Sequence, residues 1–228
     1  MQGLKDELFN LLQAKGARLM GVADLKGIAG GALTTGISVA VPVPKEIVRD
    51  LQTAPTLAYY EAYHSLNAQL NQIVSAGAAL LQERGFHAVA NTTDTVKTDE
   101  NWRSPLPHKT VAVHAGLGWI GKNCLLITER YGGAVRLSSL LTDASLPFDA
   151  PVEKSRCGGC SACVERCPAK AFTGATWTPG IEREKLFDWK RCYPEQPRRM
   201  KQATGIETDL CGLCFAVCSY TQRYLREE

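Results

Sequence analysis

The sequence predicts an α+β domain over residues 1–150 followed by a small cysteine-rich domain over residues 151–228. Helix-spaced apolar residues alternate with short β-branched runs up to about residue 150. Eight of the nine cysteines then lie after residue 156, and the composition turns to cysteine, proline and basic residues just past the proline-bearing LPFDAPVEKSR. A chain of 228 residues, 45% of them apolar, can bury one good core and carry a second small module.

The elements follow in order. MQGLKDELFNLL sets Leu4, Leu8, Leu11 and Leu12 on one helical face, with Lys5, Asp6 and Glu7 elsewhere, which reads as a surface helix and neither a signal peptide nor a membrane span. RLMGVADL and GISVAVPVP read as strands bounded by glycines and prolines. From about Leu57 to Arg84, Leu66, Leu70, Ile73, Val74, Leu80 and Leu81 recur at helical spacing, and Gly85 supplies the stop. FHAVAN reads as a strand. TTDTVKTDENWRSPLP is a polar loop, either a binding-site lid or a surface insertion. KTVAVHAG fits helix or strand, and NCLLIT and AVRLSSLLTD read as strands joined through ERYGG into a β-hairpin.

No apolar run approaches the roughly eighteen residues of a membrane span, and no twin-arginine signal opens the chain. A cytoplasmic protein with no membrane partner is expected. In that compartment nine cysteines do not make a disulfide framework. The formal net charge of +3 is too small to argue for nucleic acid on bulk electrostatics.

CGGCSACVERCP reads as C-x2-C-x2-C-x3-C-P from Cys157 to Pro168, the ligand run of bacterial two-cluster ferredoxins. Its fourth cysteine serves the other cluster, so a mate is required downstream. CGLCFAVC places Cys211, Cys214 and Cys218 at the spacing of the last three cysteines of such a run, but the first place falls on Thr208. Cys192, in WKRCYP, completes the count if the intervening segment loops back. One [4Fe–4S] cluster is thereby assigned to Cys157, Cys160, Cys163 and Cys218, and a second to Cys167, Cys192, Cys211 and Cys214. Zinc is the competing reading, although its sites seldom use these crossed runs.

GLGWIG, residues 116–121, fits G-x-G-x-x-G. A dinucleotide fingerprint needs a strand before the glycines, a helix after them, and an acid about twenty residues on. Asp143 stands in reach of that place, but NCLLIT is β-rich, and Tyr131, Gly132 and Gly133 make a turn where the helix should run. A P-loop is excluded because Asn123 follows Lys122. Gly116, Gly118 and Gly121 either permit a tight turn or, with Trp119, let backbone and an indole approach a large flat cofactor closely.

AGLGWIGKNCLLIT followed by a double-cluster run resembles the epoxyqueuosine reductase family, whose cobalamin domain is related to that of reductive dehalogenases. ISVAVPVP, YYEAYHSLN and LQERGF are also similar to that family's strand, Tyr-His segment and following helix. The resemblance implies a nitroreductase-like domain holding base-off cobalamin, fed by the two clusters, with Co(I) as reductant or nucleophile. It implies an oxidoreductase that acts on queuosine-modified tRNA or another organic substrate and takes electrons from a low-potential donor such as ferredoxin or flavodoxin. It places Gly116, Gly118, Trp119, Gly121, Lys122 and Asn123 by the corrinoid, adds His64 as a further candidate, and agrees with the ligand assignment, Cys192 included.

Two departures stand against it. The family's general acid, an Asp in a short D-x-A-P segment, falls without gaps on Trp102; Asp94, Asp99, Glu100 and His108 are nearby replacements. An insertion realigns Asp94 in VANTTD with that acid and makes it the catalytic candidate, provided burial holds its carboxyl near neutral pKa. The family also continues into a helical-repeat domain that helps grip tRNA, whereas this sequence stops ten residues after Cys218 and reads as a short member. Arg191, Arg198, Arg199 and Lys201 form a local basic patch, for phosphate or as a solvated face. Cys124 is either a small buried hydrophobe or faces the cofactor. Two alternatives remain: a ferredoxin-like electron-transfer partner without chemistry of its own, and a reductive dehalogenase, for which an export signal is expected.

Overall fold

The computed structural model describes residues 1–227. Its elements are α1 (Gln2–Ala14), β1 (Leu19–Asp24), β2 (Thr35–Pro42), α2 (Lys45–Asp50), α3 (Leu57–Glu83), β3 (Ala88–Asn91), α4 (His108–His114), β4 (Trp119–Ile120), β5 (Leu126–Ile127), β6 (Val135–Thr142), α5 (Ala162–Arg166), α6 (Arg183–Leu186), α7 (Trp189–Thr204), α8 (Leu213–Ala216) and α9 (Ser219–Arg226). The chain forms two compact units. The first takes Met1–Val41, Ser65–Leu117 and Arg136–Val152; the second takes Pro42–His64, Gly118–Val135 and the chain from Glu153 onward. The composition break near Pro151 lies at the last of these crossings. Composition does not mark the two earlier segments of the second unit because they lack its cysteines. They are tied into it by hydrogen bonds to backbone carbonyls, as where Val43 N–H donates to Ala134 O at 2.9 Å and the Arg166 guanidinium to Gln52 O at 3.1 Å.

The first unit is built on a four-stranded sheet in the order β1-β2-β6-β3. β1 pairs antiparallel with β2, Leu19 opposite Ala40, and β3 pairs antiparallel with β6, Asn91 opposite Ser139. The helical stripes anticipated from spacing cover one face: Leu8 and Leu12 of α1 and Leu70, Ile73, Val74 and Leu81 of α3 pack with Val22, Ile37, Val39 and Leu140. The other face receives α4, whose Val111 packs with Ala23 and Leu25. Glycine makes room there, since a Cβ on Gly21 would stand 2.1 Å from Ala115 O and one on Gly36 2.9 Å from Val111 Cγ1.

Two sequence expectations change. KTVAVHAG is helix, and Gly116 ends it: Leu117 N–H donates to Ala112 O at 2.9 Å and Gly116 N–H to Val113 O at 3.2 Å, a Schellman stop with Gly116 at φ 76°. The hairpin of NCLLIT with AVRLSSLLTD does not form. β5 pairs instead with β4, Trp119 opposite Ile127, and only a Thr128–Gly132 bridge closes the turn at ERYGG. β6 goes to the four-stranded sheet, where Ser138, Ser139 and Leu140 are buried between β2 and β3.

A polar group sits on the α4 side of that sheet. His108, at the start of α4, places Nδ1 2.9 Å from Ser139 Oγ, and Asn91 Nδ2 donates to the same oxygen at 3.2 Å. The Ser139 hydroxyl accepts from Asn91 and shares a hydrogen bond with the His108 imidazole, the direction of which follows the ring tautomer. Burial first, then the cation of Arg136, holds His108 down at about 4. Arg136 is itself held by Asn67 Oδ1, at 2.9 Å from Nη2.

Between the ordinary imidazole value of 6.5 and about 4, the unfolded chain binds a proton that the folded chain refuses. Stability therefore falls as pH drops through that window, on the order of 1 kcal/mol per pH unit, and is level above it. Denaturant titrations at pH 7 and pH 5 should show this slope shrinking in His108→Gln; an unchanged slope would refute the assignment. A second prediction concerns the helix stop. Gly116→Ala forces left-handed backbone and brings a Cβ to 2.7 Å from Ala150 O, so it should lower stability by at least about 1–2 kcal/mol. Gly30→Ala, with nothing within 4 Å, should be close to neutral in the same thermal melts.

Candidate metal centres

The first thiol quartet is built by a tight loop and a helix start, both in the second unit. In the loop, Cys160 N–H donates to Cys157 O at 3.1 Å across Gly158, which has φ 53°, and Cys163 follows inside α5. Cys218 is the N-cap residue of α9. Cys157, Cys160, Cys163 and Cys218 line one cavity, together with Gly121, Lys122, Asn123, Ile127, Ser219 and Tyr220. Burial first, then the thiols of Cys218, Cys157 and Cys160, pushes Cys163 up to about 12. Cys218 is raised by burial, while the amides of Thr221 and Tyr220 pull it the other way. Among the described residues no three His, Cys, Asp or Glu side chains converge closely enough to grip a single ion. Four cysteine thiols around one cavity are the donor set that a cuboidal [4Fe–4S] cluster takes.

The second quartet needs the chain to return. Cys167 follows α5, and its sulfur accepts Ala171 N–H at 3.5 Å. Beyond it the chain departs through residues 173–186 and is clasped shut at the base. Phe172 and Phe187 form an antiparallel bridge with rings stacked at 5.5 Å, and Asp188 N–H donates to Ala171 O at 2.8 Å. Asp188 then caps α7, accepting Arg191 N–H, which sets Cys192 in the first turns of that helix. Burial, then Cys167 and Cys211, pushes Cys192 up to about 12. Cys214 is raised by burial, then by Cys211 and Cys192, and further by Cys163 and Cys167, so the two quartets are neighbours. Thr208, in the place of a run's first cysteine, accepts Leu210 N–H at 2.8 Å in the turn leading to Cys211.

The expected corrinoid set has partners within the protein. Gly116 is the α4 stop in the first unit; the others lie in the second. A Cβ on Gly118 would meet Ile127 O at 2.1 Å, and one on Gly121 would meet Ile127 Cγ1 at 2.7 Å, so both serve the close β4–β5 pairing. Lys122 Nζ donates to Gly158 O at 2.9 Å and Cys160 O at 3.0 Å, and Asn123 Nδ2 to Cys214 O at 3.2 Å. These two side chains are turned to the cysteine loops, a role that spacing did not reveal. Trp119 is buried with its ring edge-on to Tyr220 at 4.8 Å, and its indole N–H has no hydrogen-bond partner among the described residues. His64 is exposed and makes ring contacts with Tyr60 at 4.5 Å and Tyr63 at 5.4 Å. Cys124 is buried in left-handed backbone, φ 58°, at the end of the hairpin turn.

Asp94 is exposed in a turn closed by Thr95 N–H to Thr92 O, so the burial expected of it is absent. Asp99 is spent on its own loop, its Oδ1 accepting the amides of Asn101 and Arg103 at 2.8 Å, and Trp102 stands 48% exposed. The basic patch is largely neutralised: Arg191 pairs with Asp188, Arg198 with Glu195 and Lys201 with Glu207, while Arg199 donates to Thr53 O. No helix among the described residues is long and apolar enough to cross a membrane.

Residues 156–221 match the family model of the 4Fe-4S double cluster binding domain. The epoxyqueuosine reductase of Pseudomonas aeruginosa is 35% identical over 169 residues, covering 70% of this chain and 41% of that protein. That of Aliivibrio fischeri is 44% identical over 127 residues, covering 52% of this chain and 32% of that protein. The chain thus spans less than half the length of these curated relatives. A solved epoxyqueuosine reductase superposes with TM-score 0.66 at 18% identity, over 96% of this chain and 66% of that one. The reductive dehalogenase NpRdhA superposes with TM-score 0.71 at 16% identity, over 96% of this chain and 32% of that one. The expected fold, a nitroreductase-like α+β domain followed by a two-cluster domain, is the one these structures share. Residues 156–221 are thus similar to the 4Fe-4S double cluster binding domain, and the region the chain shares with its relatives is similar to that of epoxyqueuosine reductases.

Proposed function

We propose that this chain is an iron–sulfur reductase of the epoxyqueuosine reductase kind, in which two [4Fe–4S] clusters pass electrons to a bound cobalamin that serves substrate reduction. The observation that carries it is the pair of neighbouring thiol quartets, Cys157, Cys160, Cys163 and Cys218 beside Cys167, Cys192, Cys211 and Cys214, in a chain related to those reductases. Cobalamin supplies a strongly reducing cobalt centre when bound. Support for a corrinoid comes from fold similarity to a reductive dehalogenase structure described as suggesting a mechanism for B12-dependent dehalogenation. Tyr-flanked His64 and the indole N–H of Trp119, buried without an acceptor, are the members of the expected set left for contact with such a group. Substrate is proposed as queuosine-modified tRNA, because a related fold has been solved with an epoxyqueuosine-modified tRNA stem loop. The donor is proposed as a low-potential ferredoxin or flavodoxin.

In this reading the chain's residues bind and bury. Burial raises the Cys163, Cys192, Cys214 and Cys218 thiols, and because a cluster binds thiolates, its assembly releases protons and is favoured as pH rises. The exposure of Asp94, with Trp102 in the place of the family acid, favours the second reading, an electron-transfer partner that binds both clusters but reduces no substrate itself.

Anaerobic reconstitution with iron, sulfide and cobalamin separates the two. The reductase reading expects about eight iron and about one cobalt per chain, and turnover with a chemical reductant. Full iron without stoichiometric corrinoid leaves the electron carrier, and absence of iron overturns both. Within the iron count, Cys192→Ser should lose about half of the metal, whereas Cys124→Ser should keep all of it. The reverse pattern would overturn the ligand assignment.

A further inference from the structure

Among the described residues Lys122 is the one charged side chain that is buried, at 9% exposure. Burying a cation is costly unless an opposite charge or hydrogen bonds replace its water. Its ammonium donates to Gly158 O at 2.9 Å and Cys160 O at 3.0 Å, and no carboxylate among the described residues pairs with it. Carbonyls satisfy its hydrogen bonds without cancelling its charge. The same side chain lines the cavity of Cys157, Cys160, Cys163 and Cys218. Four thiolates around an iron–sulfur core are net anionic, so the missing counter-charge is of the sign the quartet would carry when loaded.

We propose that Lys122 is the positioning residue and counter-cation of the cluster held by Cys157, Cys160, Cys163 and Cys218. This rests on reading that quartet as one cluster's ligands. The two hydrogen bonds fix the loop on either side of Gly159, and the fixed positive charge favours the reduced cluster, which is one electron more negative. The step it tunes is the uptake of one electron from a low-potential donor, which is oxidised; no bond is made or broken and no proton is needed. Asn123, donating to Cys214 O at 3.2 Å, carries no charge and leaves the field to its neighbour.

The test uses the full chain, reconstituted anaerobically, with iron content measured and each cluster's midpoint followed by electron paramagnetic resonance during a redox titration. Lys122→Met keeps the length and removes the charge; Lys122→Arg keeps the charge. The expected result is that Lys122→Met retains full iron and the reduced fraction of one cluster at a fixed potential falls about tenfold, a midpoint about 59 mV lower. The other cluster should move less, and Lys122→Arg should return toward the parent. Loss of about half the iron in Lys122→Met, with full iron in Lys122→Arg, also supports the role. Full iron with both midpoints unmoved overturns it, as does equal loss of iron in both variants, which would make shape rather than charge the requirement. A parent chain that takes up no iron fails at the ligand assignment itself, an outcome separate from these.

Discussion

Thiols crowded into a buried place resist ionising, because burial and every neighbouring thiolate favour the protonated form. Cys163 and Cys192 are each driven to about 12 in this way, and Cys214 is raised as well. An arrangement that unfavourable for free thiolates has to be imposed by the surrounding fold, since the thiols do not attract one another. The second unit supplies that imposition from the backbone. A four-residue turn with left-handed Gly158 brings Cys157 and Cys160 to one cavity, helix starts carry Cys163 and Cys218, and Gly212 at φ 80° lies between Cys211 and Cys214. Iron changes the sign of the balance, because it binds the thiolate and makes the crowded geometry favourable.

The local spacing of the cysteines was legible because each run folds on itself within a few residues. That Cys192 lies beside Cys167 and Cys211 was suggested by the count alone. How it returns was not. The clasp of Phe172 with Phe187 is a contact between residues fifteen apart in chain, and nothing in a stretch of threonines, glycines and charges announces its pairing. The N-cap before α7 did carry a local sign: Asp188 precedes WKRC, and Gly205 closes the helix in left-handed backbone at φ 79°. Two prolines, Pro194 and Pro197, lie inside α7 and weaken any helical signal in that stretch.

GLGWIG shows the same division between local and distant causes. The helix before it was undecided from KTVAVHAG, although the chain already holds a parallel case: at Gly85 the amides of Gly85 and Phe86 reach back to Gln82 and Leu81 as those of Gly116 and Leu117 reach back to Val113 and Ala112. Helix, glycine stop, short strand is the reverse of the order a nucleotide loop requires. The fate of AVRLSSLLTD was beyond local reading. A strand buried on successive residues belongs in the middle of a sheet, and its neighbours β2 and β3 are distant in sequence.

Within the second unit, the β4–β5 hairpin explains why Lys122 and Asn123 go to the cysteine loops. Gly118 and Gly121 admit a backbone approach that a Cβ would block, and the turn closes with Cys124 N–H on Gly121 O at 2.8 Å. That closure leaves Lys122 and Asn123 at the two central turn positions, where side chains stand off the ladder and are available to a partner. Lys122 takes carbonyls of the Cys157–Cys160 loop and Asn123 that of Cys214 in α8, and Lys122 brings a buried charge with it. A turn chosen only for tightness would fill those positions with small or solvated residues. A long cationic side chain buried against neutral carbonyls carries an uncompensated charge, and the thiol-lined cavity it borders is where opposite charge would gather with a bound cluster.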